Sequence, residues 1–97
     1  MTNVQPKDSG LPFVAYVSER QGQHDARVKL AYKAPNWVAT VTVRPSVEVV
    51  GGQLSARELE LVRHWVTLNK DVIVAHWEGD MPSSRDVLEA LKPLPKS

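Results

Sequence analysis

The chain has 97 residues, of which 42% are hydrophobic and 24% charged, and it contains no cysteine. This composition is typical of one small globular domain, and it excludes a disordered chain, a disulfide framework and thiol chemistry. No apolar run approaches the roughly 20 residues that a membrane-spanning helix needs, and the first ten residues do not resemble a signal peptide. We therefore expect a cytoplasmic protein with no membrane contact.

The net charge of +1 conceals an uneven distribution of charge along the chain. Residues 20–44 carry a balance of +4, whereas residues 58–89 carry a balance of −4. One interpretation is an ordinary solvated surface. The alternative is a basic face for an anionic partner and an acidic face for a different contact.

The N-terminal half of the chain predicts strands. Residues 1–10 are polar and without periodicity, which predicts a flexible tail. Residues 13–18 are rich in aromatic and β-branched types and predict the first strand. A polar loop follows at residues 19–25. Residues 26–32 alternate strictly between apolar and polar types, which predicts a half-buried strand.

A further strand is predicted over residues 37–44, after a short turn, so that an antiparallel hairpin forms. Its apolar face consists of Trp37, Ala39, Val41 and Val43. A shorter strand at residues 46–50 then runs into Gly51 and Gly52. Glycine adopts positive φ easily, so we expect the chain to turn out of the sheet there.

The C-terminal half predicts helices. Ser55 and Glu58 have the spacing of a capping box, flanked by Leu54 and Leu59 as a hydrophobic staple, which predicts a helix from Ala56. An apolar stripe at helical spacing then continues downstream through Val62, Val66, Asn69, Ile73 and Trp77. Asparagine competes for local backbone hydrogen bonds, so the run is either one long helix or two. We favour a break at Asn69.

A last helix is predicted to begin at a cap formed by Ser83 or Ser84 and to stop at Lys92, because Pro93 disfavours helix in the residue before it. Residues 93–97 are expected to form a loose tail. The predicted fold is α+β, with one domain over residues 11–92. It contains a small antiparallel sheet of three to four strands, followed by two to three C-terminal helices packed on one face.

Helices on one side would leave the other face of the sheet open. That open face is expected to display Arg27, Lys29, Thr40, Thr42 and Arg44, with Lys33 at its edge. Basic and hydroxyl side chains on a sheet are suited to a phosphate backbone, so the candidate nucleic-acid contacts are Arg27, Lys29, Lys33 and Arg44. Exposed aromatic side chains, on which bases stack, are missing from this predicted set.

No catalytic or metal-binding motif is recognisable, and we expect no metal site and no cofactor. His24 is followed by Asp25 and then, two positions on, by Arg27. Such a loop is a candidate for acid–base or phosphate chemistry. The alternative is that these three residues are ordinary polar loop residues.

The three tryptophans, Trp37, Trp65 and Trp77, are most simply core anchors. Trp77, together with His76, is alternatively half exposed at an interface. Exposed edge strands in so small a sheet also favour self-association, with a homodimer as the simplest form.

The segments FVAYV, HDARVKL, GGQLS and RHWVTLNKDVIVAHW together resemble a family of small uncharacterised bacterial proteins that is known only as a domain of unknown function. In that family a strand leads to a histidine-containing loop, a hairpin and a helix that carries two tryptophans. The corresponding positions of this chain are Gly52, Leu54, Ser55, Trp65 and Trp77. The family's Pro-Pro-His-Phe-His run is reduced here to His24. The resemblance covers residues 11–79.

Members of that family look like companions in two-gene pairs of the toxin–antitoxin type, so the resemblance implies a regulatory or partner-binding role. Our first hypothesis is therefore a protein-interaction or regulatory module. The second is a nucleic-acid-associated component of the toxin–antitoxin type that uses the basic sheet face. The third is a small hydrolase or nuclease built on His24, Asp25 and Arg27.

Overall fold

The computed structural model describes residues 2–18, 25–33 and 36–95. Within these ranges the chain forms a five-stranded antiparallel sheet in which each strand pairs with the next along the chain. The strands are β1 (Thr2–Val4), β2 (Val14–Val17), β3 (Arg27–Lys33), β4 (Asn36–Thr42) and β5 (Val49–Gly52). The predicted α+β class is confirmed, and the predicted count of three to four strands is wrong.

The additional strand lies in the segment for which the sequence predicted a flexible tail. β1 pairs with β2, and a short helix, α1 (Pro6–Ser9), follows it. Val4 is 1% exposed. The segment is anchored because Val4 belongs to the hydrophobic core. The strand was not predicted because three residues are too few to show a periodicity.

The C-terminal segment is also anchored, contrary to the predicted loose tail. The backbone N–H of Leu94 donates to the carbonyl oxygen of Ser9 at 2.8 Å. Leu94 also packs against the core. The two ends of the described chain therefore belong to the same packed unit as residues 11–92.

Three helices follow the sheet, and their apolar sides cover one of its faces. They are α2 (Ala56–Leu68), α3 (Lys70–Glu78) and α4 (Ser84–Ala90). The core between the helices and the sheet includes Val28, Leu30 and Val41 from the strands, and Val62, Trp65, Val66, Ile73 and Trp77 from the helices. None of the helices in the described residues is long and apolar enough to cross a membrane.

The capping box predicted for α2 is confirmed. The backbone N–H of Glu58 donates to Ser55 Oγ at 3.1 Å, and the backbone N–H of Ser55 donates to Glu58 Oε1 at 2.8 Å. Two of the backbone N–H groups that a helix start leaves unpaired are thereby satisfied. The helix begins at Ala56, as predicted.

The break at Asn69 is also confirmed, and the side chain of this residue explains it. Asn69 is 2% exposed, and its Nδ2 donates to the carbonyl oxygens of Trp65 and Lys92 at 3.0 and 2.9 Å. Its Oδ1 accepts from the backbone N–H of Lys92 at 2.6 Å. The side chain thus pairs with the backbone of Lys92 as a neighbouring strand would, and it fixes the segment after α4 to the α2–α3 junction.

The last strand begins later than predicted, and the two glycines lie inside it rather than after it. Gly51 pairs with Thr40, and Gly52 pairs with Ala39. Gly52 has a φ of +72°, and a Cβ atom at this position would lie 2.1 Å from the carbonyl oxygen of Val38. Only glycine allows the backbone of β5 to approach β4 this closely.

Candidate binding face of the sheet

A β-bulge between β3 and β4 reverses the orientation of Trp37. Leu30 pairs with Ala39, but the next residue of β3, Ala31, pairs with Trp37, so β4 contains one extra residue at this point. Because side chains alternate between the two faces, one extra residue moves Trp37 to the face opposite Ala39. Trp37 is 48% exposed. The prediction that it is a core anchor is therefore wrong, whereas the same prediction is confirmed for Trp65 and Trp77.

Trp37 contacts an aromatic residue and a cation on the side of the sheet away from the helices. Its ring lies 5.0 Å from that of Tyr16, in an edge-to-face arrangement. Lys29 Nζ lies 5.6 Å from the centroid of the Trp37 ring, which is within cation–π distance. Tyr16 and Lys29 are themselves paired residues on adjacent strands. The three side chains form one contiguous group.

This group is the centre of what we call the open face. The strand register places one residue from each strand in a row across it, and the alternation of side chains adds others from the same strands. The open face consists of Asn3, Val14, Tyr16, Arg27, Lys29, Ala31, Trp37, Thr40, Thr42 and Gly51. Val14, Tyr16 and Ala31 form a small apolar cluster that is separate from the core under the helices.

The structure separates the four predicted nucleic-acid contacts. Arg27 and Lys29 lie on the open face, as expected. Lys33 is the last residue of β3, and its backbone is paired with that of Asn36 at the end of the β3–β4 ladder. Arg44 does not join them, because β4 ends at Thr42 and the alternation of the strand no longer applies two residues later.

Arg44 instead connects the end of the sheet to the helical layer. Its Nε and Nη2 donate to the two carboxylate oxygens of Asp25 at 2.8 and 2.9 Å, and Nη2 also donates to Glu78 Oε1 at 2.7 Å. The hydrogen bond to Asp25 and, second in size, the hydrogen bond to Glu78 raise the pKa of Arg44 above its already high value. Asp25 is thus paired with Arg44, and His24 lies outside the described residues.

Replacing Arg44 by methionine is expected to lower the thermal midpoint of unfolding. The substitution keeps an unbranched apolar side chain but removes both ion pairs, leaving Asp25 and Glu78 near one another without this cation. The pairs are partly exposed, with 36% of the Arg44 side chain accessible, so salt should reduce the difference from wild type. Thermal melts at low and high salt test this, and an unchanged midpoint at low salt would contradict it. Arg63→Met, on the exposed side of α2, is the control.

The two residues predicted at an interface, His76 and Trp77, are 0% and 3% exposed. His76 Nδ1 lies 2.8 Å from the carbonyl oxygen of Met81, and Nε2 lies 3.3 Å from Thr2 Oγ1. A carbonyl oxygen only accepts, so Nδ1 carries a proton. His76 therefore joins α3 to β1 and to the loop after α3, and Trp77 belongs to the hydrophobic core. Both side chains lie inside the fold.

No group of three or more metal-binding side chains is present among the described residues. His64 is exposed on α2, while His76 is buried in α3. The arrangement that distinguishes the described residues chemically is therefore the open face, where the exposed indole of Trp37, the buried ring of Tyr16 and two basic side chains lie on the same side of the sheet.

Comparison with known proteins identifies a family and nothing more specific. Neither the curated proteins nor the solved structures contain a match to this chain. Residues 16–78 match a family described as a domain of unknown function, DUF4160. The match runs from β2 to the end of α3 and therefore includes most of the open face. It covers about two thirds of the 97 residues, and the chain belongs to this family.

Proposed function

We propose that this domain is a binding module whose working surface is the open face, and that its ligand is a single-stranded nucleic acid. The observation that carries the proposal is the position of Trp37, which the β-bulge places beside Lys29 and Tyr16. An exposed indole supplies a surface on which an unpaired base stacks, and a neighbouring cation supplies a contact for phosphate.

The distribution of charge supports an anionic ligand on this side of the molecule. Arg27 and Lys29 extend from β3 onto the open face, and the strand register places Thr40 and Thr42 opposite them. The helices α2 to α4 carry six acidic residues against four basic ones, Arg57, Arg63, Lys70 and Arg85. The open face carries Arg27 and Lys29 and no acidic residue. A polyanion is therefore favoured more at the open face than at the helices.

The geometry favours a single strand over a duplex. The bases of a duplex are already stacked on one another, so an indole on a sheet gains access to a base only when the base is unpaired. The helices of this domain lie on the other side of the sheet, so none is presented beside Trp37 for insertion into a major groove. We therefore expect single-stranded RNA or DNA to bind more tightly than the corresponding duplex.

Oligonucleotide titration tests this proposal directly. Trp65 and Trp77 are buried, so a change in indole fluorescence on binding should come mainly from Trp37. We expect Trp37→Ala to weaken binding by about 1–3 kcal/mol, as measured for loss of one base-stacking side chain. Lys29→Gln should weaken binding and also reduce its dependence on salt concentration, because one phosphate contact is lost.

The matched control is Arg63→Gln, which removes one positive charge from the exposed side of α2. It should leave both affinity and salt dependence nearly unchanged. Equal weakening by Arg63→Gln and Lys29→Gln would show that only overall charge matters. Absence of salt-dependent binding to any single-stranded oligonucleotide would refute the proposed ligand.

A second candidate function is protein interaction through β5, which is an outer strand of the sheet in the part of the chain that the structure describes. β5 is the last strand of the sheet, and Val50 within it is 49% exposed. An uncovered edge offers backbone hydrogen-bonding groups to a strand of another protein. A regulatory role of the toxin–antitoxin type is compatible with either surface. Val50→Lys should weaken a partner bound at this edge without affecting nucleic-acid binding by the open face.

A further inference from the structure

A groove lies between α1 and α4, away from the open face. Its volume is about 640 Å³. Its apolar lining consists of Val4, Leu88, Leu91 and Pro93, and its charged lining consists of Lys7, Asp8, Arg85 and Glu89. Leu88 is 43% exposed, although leucine usually lies inside a domain of this size. The groove therefore presents an apolar surface that the described residues leave uncovered.

The charges around the groove favour one kind of occupant. Each wall carries one cation and one anion, Lys7 with Asp8 on α1 and Arg85 with Glu89 on α4. This balance gives no preference for a strongly acidic or strongly basic partner. The charges of α4 suit a second copy of the same helix, because antiparallel packing about a two-fold axis brings the cation of one copy opposite the anion of the other.

We propose that this groove is the contact surface for a second copy of the chain. In this arrangement the two α4 helices pack antiparallel through the exposed side that carries Arg85, Leu88 and Glu89. The two-fold axis passes this side at the level of Val87, the midpoint between Arg85 and Glu89. The side chain of Val87 itself is buried in the core. Arg85 of each copy then faces Glu89 of the other. Leu88 is adjacent to the midpoint, so the two Leu88 side chains meet near the axis and cover the apolar floor.

Arg85 and Glu89 form an ion pair within one chain, but this pair leaves both side chains accessible to the second copy. Arg85 Nε lies 3.4 Å from Glu89 Oε1, and the two side chains are 86% and 67% exposed. Such a long and solvated pair contributes little to the stability of one chain. The same two groups gain more from pairing across an interface in which Leu88 excludes water.

Sedimentation velocity at protein concentrations from micromolar to millimolar measures the association. We expect a reversible dimer whose dissociation constant rises at least about tenfold in Leu88→Glu, because a charge is placed at the centre of the contact. Arg85→Glu should also weaken the dimer at low salt, since each groove then carries three acidic groups and one basic group. Leu88 and Arg85 are exposed, and thermal melts should confirm that both variants remain folded.

The absence of cysteine from the chain allows a second, independent test. In Leu88→Cys, the cysteines of the two copies would lie close enough across the axis to form a disulfide under mild oxidation. In the control Thr67→Cys, exposed on α2, disulfide formation should be no faster than expected for random collisions between chains. The proposal is overturned by a wild-type chain that stays monomeric at millimolar concentration. It is also overturned by a dimer that neither Leu88→Glu nor Arg85→Glu weakens, or by equal cross-linking of the two cysteine variants.

Discussion

Replacing Gly52 by alanine is expected to destabilise the fold by roughly 3 kcal/mol or more, from the cost of a left-handed backbone together with overpacking. The added Cβ would lie 2.1 Å from the carbonyl oxygen of Val38 and 2.8 Å from Cα of Ala39, and both atoms belong to the backbone of β4. No side-chain rotation relieves such contacts, so β5 must move away from β4. Chemical denaturation monitored by circular dichroism measures the loss.

The neighbouring glycine provides the control for this substitution. A Cβ at Gly51 would lie 3.8 Å from Cβ of Thr40, which is an ordinary contact, and its φ is not positive. We expect Gly51→Ala to change stability by no more than about 1 kcal/mol, in either direction. Equal effects of the two substitutions would show that the loss comes from glycine's general properties rather than from the close approach to Val38.

Asn69→Ala is expected to cost about 3 kcal/mol, because it removes three hydrogen bonds from a buried side chain and leaves backbone groups of Lys92 unpaired. The segment after α4 should then detach from the α2–α3 junction. We therefore expect faster hydrogen exchange at the backbone N–H of Lys92 in addition to the global loss of stability.

Asn36, which is exposed in β4, is the matched control, and Asn36→Ala should change stability by less than about 0.5 kcal/mol. Asn69→Asp separates the contribution of the side-chain oxygen from that of the two amide N–H donors. It retains the oxygen that accepts from Lys92 but loses both donors and places a carboxylate at a buried position. Protection of the Lys92 N–H in Asn69→Ala equal to that in wild type would contradict the role assigned to this side chain.

The helical half was predictable because its signals are local. The capping box of Ser55 and Glu58 depends on two residues three positions apart, and the apolar stripe through Val62, Val66 and Ile73 depends only on helical spacing. The break at Asn69 followed from the preference of asparagine for local hydrogen bonds. Its partner, the backbone of Lys92, is 23 residues away and lay beyond any local pattern.

The sheet was predicted less completely because two of its features depend on pairing. β1 contains three residues, so its burial becomes evident only when it pairs with β2 and packs beneath the helices. The extra residue in β4 becomes evident only from the pairing of β4 with β3. This one-residue shift in register moves Trp37, which precedes the extra residue, to the other face of the sheet. Strict alternation therefore placed Trp37 in the core.

The same bulge explains why the candidate site was predicted only in part. Arg27 and Lys29 precede the irregular region of β3, and the simple alternation placed them on the open face as the structure does. Trp37 lies beyond the irregular region, so simple alternation placed it on the core side. The predicted open face therefore lacked an aromatic residue, which weakened the nucleic-acid hypothesis. Arg44 was assigned to this face because β4 was extended two residues past its end at Thr42.

The contact between β1 and α4 has a consequence for how the protein is made. Thr2 Oγ1 in β1 lies 2.8 Å from Ser84 Oγ in α4, so the first strand contacts the last helix. The backbone of Leu94, after α4, is hydrogen-bonded to Ser9 in α1. During translation, β1 leaves the ribosome long before its partners in α4 have been synthesised. We therefore expect the nascent chain to acquire its complete core only after residue 94 has emerged from the ribosome.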